Sequence, residues 1–226
     1  MLRRIRPDRS DSRKELNMEK KRISTRTLTG MALLTAVVVI LQFLGAFIRF
    51  GPFSISLVLI PIVVGAALYG PLAGAWFGLV FGLVVLLSGD AAAFLVVSPL
   101  GTILVVLLKG ALAGLCAGAV YKALSGLGTK SSDRAQGKEK QGLDPAVVAA
   151  AIICPVVNTG IFLLGCLVFF LPTISEWAAA MGFESVGKYM IFGLVGGNFL
   201  FELLFNIVLS PIIVRLIKIG RNRERV

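Results

Sequence analysis

With 226 residues, 57% of them hydrophobic, and a formal net charge of +11, the chain has room for one compact helical body and no sizeable soluble domain. It contains no histidine, which removes Ser-His-Asp and Cys-His catalysis and most zinc sites. The excess charge is not a nucleic-acid footprint, because of where it lies. Of 23 Lys and Arg, ten fall in residues 1–26, five in 122–140 and five in 215–225.

Between those basic stretches run six apolar segments, at residues 28–48, 55–70, 71–88, 100–121, 146–171 and 190–217. A hydrocarbon core about 30 Å thick needs on the order of 20 apolar residues as helix. Runs this long and unalternating exclude barrel strands, leaving helices as the way to satisfy the backbone in lipid. The fold class is therefore an all-α integral membrane protein, a six-transmembrane-helix bundle. Six passages put the three basic stretches on one side, and the positive-inside rule makes that side, with the N- and C-termini, cytoplasmic.

In chain order, residues 1–22 read as a basic, disordered cytoplasmic tail or one lying at the lipid surface. The first apolar segment is too long for a cleaved signal peptide, and no A-x-A site follows it. The membrane domain extends over 23–218, interrupted at 125–144 by a flexible cytoplasmic loop rich in Gly, Ser and charge, and 219–226 form a second basic tail. The second segment is short and holds Pro61, so it is kinked or only just long enough. Tyr69-Gly70-Pro71 is a minimal turn with Pro at the first position of the next helix. Residues 88–99 read as an outer loop packed back into the bundle mouth, and 172–189 as a short surface helix carrying Trp177. Cys116, Cys154 and Cys166 fall inside apolar segments, so a disulfide framework is not expected. No internal repeat supports an inverted-repeat transporter.

Two glycine ladders shape the bundle. Gly74, Gly78 and Gly82 share one face of the third segment, and Gly110, Gly114 and Gly118 one face of the fourth. Small residues four apart let helix backbones approach closely. Both ladders lie in the cytoplasmic half, so the bundle is expected to be tight there and wider above.

Polar groups within apolar helices are costly and normally face a cavity or a partner. Counted from the cytoplasmic ends at about 1.5 Å per residue, Lys109, Asn158 and Glu202 come out near the midplane. Asn198, Glu202 and Asn206 share a face of the sixth segment, and Gln42 lies in the outer half of the first. Asn198, Glu202, Asn158 and Lys109 are the candidate substrate-binding residues, with Arg49 and Asp90 as loop residues closing the pocket. The bland reading is a structural Lys109–Glu202 ion pair with amides satisfying helix contacts. Phe43, Phe47, Phe50, Phe53 and Phe94 cluster toward the outer mouth and read as lipid-facing or core positions rather than stacking platforms. Ala32 and Ala36 form a small, flat patch on the first helix.

The basic start leading into Thr29-Gly30-Met31-Ala32-Leu33-Leu34-Thr35-Ala36, the turn Leu68-Tyr69-Gly70-Pro71-Leu72-Ala73-Gly74, and six spans in about 200 residues carry a resemblance. Over about residues 23–218 the chain resembles the substrate-binding S components of energy-coupling factor (ECF) vitamin transporters. That resemblance implies a vitamin captured in an outward-facing pocket, and docking by the first helix, here Ala32 and Ala36, onto a membrane-embedded coupling subunit bearing two ATPases. It implies residence in the cell membrane, surrounded by lipid, of a bacterium. The chain has no P-loop pattern (G-x-x-x-x-G-K-S/T), so ATP hydrolysis falls to partners, and no cofactor, metal or nucleic acid is implied. A riboflavin-like or pantothenate-like ligand is compatible with Lys109 and the Asn residues, and a thiamine-like cation with Glu202. An autonomous facilitator or channel-like carrier is the alternative. An intramembrane enzyme is less well supported: Ser88-Gly89-Asp90 resembles a membrane aspartyl protease fragment but lacks a second Asp within a span.

Overall fold

The structure, a computed structural model, describes residues 24–46, 49–50, 53–54, 57–132 and 144–224. The basic tail at 1–22 lies outside them. Helix α1 spans Thr25–Ala46, and the Ser24 hydroxyl caps it by accepting from the Thr27 amide at 3.1 Å. A two-stranded antiparallel hairpin follows, β1 (Arg49–Phe50) paired with β2 (Phe53–Ser54), with Arg49 opposite Ser54. Next come α2 (Leu59–Tyr69) and α3 (Pro71–Leu87). Gly70 joins them at φ +95°, a backbone conformation that glycine adopts without steric cost, and Pro71 opens α3 where no N–H is needed.

Short α4 (Ala92–Val97) leads to the long α5 (Pro99–Ser132), and α6 (Pro145–Phe169) follows. The Asp144 carboxylate caps α6 by accepting from the Ala146 amide at 3.0 Å. The chain ends with α7 (Leu171–Ala180), the single turn α8 (Val186–Lys188) running into a π-helix (Tyr189–Val195), then α9 (Gly196–Val208) and α10 (Ser210–Glu224).

Among the described residues three helices are long and apolar enough to cross a membrane: α1, α5 over Pro99–Gly126, and α6. The run Val186–Val195 plus Phe199–Val208 makes a fourth if its 45° bend is counted as one broken span. Three expectations change here. The second segment is helical over only 11 residues, and Pro61 sits in its first turn, where a missing N–H breaks no helical bond and leaves no kink to explain. The sixth is not one helix: it bends around Gly196 and Gly197 and breaks again at Leu209, ahead of Pro211. Helix α5 continues through Ser132, well past residue 125, where the composition reads as linker; residues 133–143 lie outside the described residues.

The side-chain distribution differs from that of a protein packed in water in its surface and in a few buried polar groups. Val96, Leu100 and Leu72 stand more than 80% exposed, while Gln42, Thr102, Asn158, Glu202, Asn206 and Ser210 are buried. Exposed apolar residues around a partly polar interior suit lipid outside and a hydrogen-bonded core within.

The glycine ladders meet face to face. A Cβ added at Gly78 would strike the Gly110 carbonyl, one at Gly74 the Gly114 carbonyl, and the reverse substitutions collide likewise. At Gly82 it would stand 2.8 Å from the Val106 carbonyl oxygen, and at Gly118 2.6 Å from the Pro71 Cα. Helix α2, buried on nearly every side, fills the groove beside this contact, with Ala66 against Gly74 and Gly118 and Ile62 against Gly114. Backbone cannot yield as a side-chain tip can. Gly78→Leu should therefore cost about 3 kcal/mol or more and lower the melting temperature of the detergent-solubilised protein. Gly126→Ala, where the new Cβ meets open space, should leave it unchanged or slightly raised. Equal melting temperatures for Gly78→Leu and the parent would remove the close contact.

Candidate functional site

Where the contact of α3 with α5 passes Gly82 and Gly110, bulky residues replace glycine and a partly enclosed cavity opens. It holds about 770 Å³ of empty space with its open mouth included. It lies where two apolar cores meet. Phe81, Val85, Ala91 and Val106 belong to one, built mainly on α2, α3, α5 and α6; Phe94, Phe170 and Leu194 belong to the other, built on α4, α6, α7 and the π-helix.

Four of the six residues selected from sequence line this cavity: Asp90 before α4, Lys109 on α5, Asn158 on α6 and Glu202 on α9. Asn198 lies on α9 one turn before Glu202, and Arg49 lies on β1; the side chains of both are outside the described residues. Asn206, on the same face of α9, is buried and donates from Nδ2 to the Glu202 backbone carbonyl at 2.8 Å, so its amide is partly engaged within its own helix.

Gln42 of α1 joins the group. Its Nε2 donates to Asp90 Oδ2 at 2.7 Å, tying α1 to the loop before α4 across 48 residues of chain. Gln42 is 1% and Asn158 4% exposed, and among the described residues Gln42 Oε1 and Asn158 Oδ1 have no hydrogen-bond partner. Buried acceptors of this kind are uncommon, because leaving one unmade costs about 1–3 kcal/mol.

Lys109, one partner of the ion pair in the bland reading, lines the cavity together with Glu202. Its ammonium stands over two rings, 5.7 Å from the Phe81 centroid and 5.2 Å from that of Phe162, and within electrostatic reach of Glu202 and Asp90. Each ring face contributes about 0.5–2 kcal/mol, less than the several kcal/mol that taking an ammonium out of water costs.

Phenylalanine supplies much of the wall: Phe81, Phe94, Phe162, Phe170 and Phe199. Phe94 packs edge-on against Phe162, Phe170 and Trp177 at centroid distances of 5.5, 5.0 and 5.6 Å. Of the lipid-facing and core positions the sequence allows for Phe94, it takes the core one, and it also lines the cavity. Phe43 is exposed, and the side chains of Phe47, Phe50 and Phe53 lie outside the described residues. Sequence reasoning missed Thr102, Thr159, Phe162 and Phe199. Helical spacing from residues already chosen finds them: Thr102, Val105, Val106 and Lys109 fall on one face of α5, Phe162 is one turn beyond Asn158, and Phe199 one turn before Glu202. Among the described residues no group of three His, Cys, Asp or Glu side chains gathers as metal ligands would. Ala32 and Ala36 are both exposed on α1 and take no part in this cavity.

The Gln42–Asp90 bond makes a testable link. A double-mutant cycle with Gln42→Ala and Asp90→Ala, read by thermal unfolding, should give a coupling of about 1.5–3 kcal/mol, the range for a hydrogen bond to a charged group. Strict additivity would show that the two side chains do not support one another.

The family model described as ECF transporter, substrate-specific component, matches residues 26–217. A search of curated proteins finds no match to the chain.

Proposed function

The chain belongs to the substrate-specific components of ECF transporters, and on that premise we propose that it captures a water-soluble vitamin or related micronutrient for an ATP-driven importer. Membership makes it a multi-pass membrane protein that binds substrate for transport, not an enzyme. One observation carries the reading of the site. Gln42, Asp90, Lys109, Asn158 and Glu202, from five separate segments, meet in a single cavity walled by phenylalanine. Polar groups gathered at this cost inside an apolar bundle suit a small hydrophilic solute with an apolar face. Asn198 and Arg49 complete the proposed set of substrate contacts. Of the riboflavin-like and pantothenate-like ligands compatible with the sequence, the ring-lined walls favour the flat one.

The proposed topology is six passages with both termini cytoplasmic, in the plasma membrane of a bacterium. The basic stretches at 1–26, 122–140 and 215–225 support it. Helix α2, about 17 Å long at 1.5 Å per residue, completes its passage with flanking residues or local thinning of the bilayer. This orientation turns the cavity outward and the glycine contact toward the cytoplasm. Ala32 and Ala36 then lie exposed near the cytoplasmic end of α1, where they dock the coupling transmembrane subunit that carries two ATPase subunits. Exposed Leu, Ile, Val and Phe side chains elsewhere face lipid.

Reconstituted alone, the chain should bind its ligand without concentrating it, and uphill uptake should appear only with the coupling and ATPase subunits. Concentrative uptake by the chain alone would overturn the coupled importer and favour an autonomous carrier. Ala32→Trp and Ala36→Trp should abolish co-purification with the coupling subunit while changing ligand affinity less than twofold, on the order of 0.4 kcal/mol. Full assembly by both variants would remove the docking patch.

A further inference from the structure

We infer that the groove between α6 and the bent last segment is a binding site for an acyl chain of a membrane lipid, and that the seated chain backs one wall of the substrate cavity.

The groove is a second space, built on one face of each wall. On α6, Val156, Thr159, Gly160 and Leu163 line it at helical spacing. Opposite stand Ile191, Phe192 and Val195 before the bend, and Phe199 and Leu200 after it. Together they border about 890 Å³ of space, the open mouth included. Two glycines show that α6 has a packed side and an open one. A Cβ added at Gly165 would press into the Val105 side chain of α5, whereas one at Gly160 would meet nothing across the groove within 4 Å.

Depth and chemistry select the occupant. Residues 156–163 lie in the middle of the 25-residue α6, and 191–200 straddle the bend of the broken span. At about 1.5 Å per residue, α6 is longer than the roughly 30 Å hydrocarbon core. The groove therefore lies among lipid tails whichever way the chain is oriented. Thr159 carries the only polar side chain among the described lining residues, so water would find too few partners to stay. Left empty, the lining would forfeit the dispersion contacts of that side. Val156, Ile191, Phe192 and Leu200 are exposed, and they continue the apolar surface that Leu164 and Val168 present on α6. An acyl chain is apolar, flexible and already present at this depth, and it reaches the groove from that surface.

Thr159, Val195 and Phe199 line the groove and the substrate cavity alike. These side chains are a common partition between the two spaces. A seated chain gives them packing partners on the side away from the cavity, where a void would leave the wall unsupported.

The test places the full chain in vesicles of phosphatidylcholine and phosphatidylglycerol, doped with a phosphatidylcholine that carries a diazirine midway along one acyl chain. After irradiation, the labelled residues are identified by peptide mass spectrometry. Lipid that merely surrounds the protein labels residues in order of exposure, so Leu164 and Val168, 62% and 72% exposed, would exceed the half-buried Gly160 and Leu163. A seated chain reverses that order. Label within 159–163 and 195–200 should exceed that at Leu164 and Val168 at least about threefold, an occupancy bias of roughly 0.65 kcal/mol. Gly160→Phe, whose ring takes the space of the chain, should return labelling to the order of exposure. Labelling in that order in the unmutated chain, or an unchanged pattern in folded Gly160→Phe, overturns the site. Exclusion of label from both stretches overturns it too, and gives the groove to a second copy of the chain. The order in the unmutated chain decides the matter even where Gly160→Phe does not fold. Capture of a solute stands or falls separately, since none of these outcomes involves one.

Discussion

Helices α3 and α5 run antiparallel with Gly74 against Gly114 and Gly78 against Gly110, so that each peptide group packs on another with no side chain between them. In lipid, tails are as apolar as leucine, and helices gain little from hiding hydrophobic surface; close van der Waals packing has to hold them together. This contact provides it, and α2 packs into the groove alongside. The same contact sets where space appears. Next to this contact the cavity is lined by Phe81 and Val85 of α3 and by Thr102, Val105 and Val106 of α5. Phe81 links the two regions: it flanks Gly110 and carries the Lys109 ammonium on its ring.

The polar groups of the cavity interact with one another across the helices. Gln42 is held by Asp90, and Lys109 is held by two rings and the fields of two carboxylates. Such a network locates its members well, since each has few alternatives in an apolar bundle. What it leaves unsatisfied is therefore informative. Among the described residues, two amide oxygens that line the cavity on different helices, Gln42 Oε1 and Asn158 Oδ1, have no hydrogen-bond partner.

Much of this was legible in the residues because the signals were periodic. Glycines four apart announced a packing face, and their position along the segments announced which end would be tight. Lys109, Asn158 and Glu202 announced the cavity by being expensive where they stand, and Tyr69-Gly70-Pro71 announced its turn. The aromatic walls were not legible, because a phenylalanine in an apolar helix looks the same whether it faces lipid, core or cavity; Phe94 and Phe162 gain meaning only from their neighbours across helices. The shape of the last segment was hidden for a related reason. Residues 190–217 are apolar enough for one span, and composition does not reveal that Gly196-Gly197 and Ser210-Pro211 divide it into a bent series. Gln42 was visible as a buried amide, but its partner lies 48 residues away, beyond any local spacing rule.

The central claim is that the cavity above the glycine contact opens to the outside and holds the substrate there. Cysteine accessibility in whole cells tests it most directly. With Cys116, Cys154 and Cys166 replaced by alanine, Val195→Cys, on the half-buried cavity wall, should react with a membrane-impermeant cationic thiol reagent added outside. Lys122→Cys, at the far end of α5, should react only after the membrane is permeabilised. Labelling of Val195→Cys should fall when substrate is present. Labelling of Lys122→Cys from outside, with Val195→Cys reacting only after permeabilisation, would contradict the account.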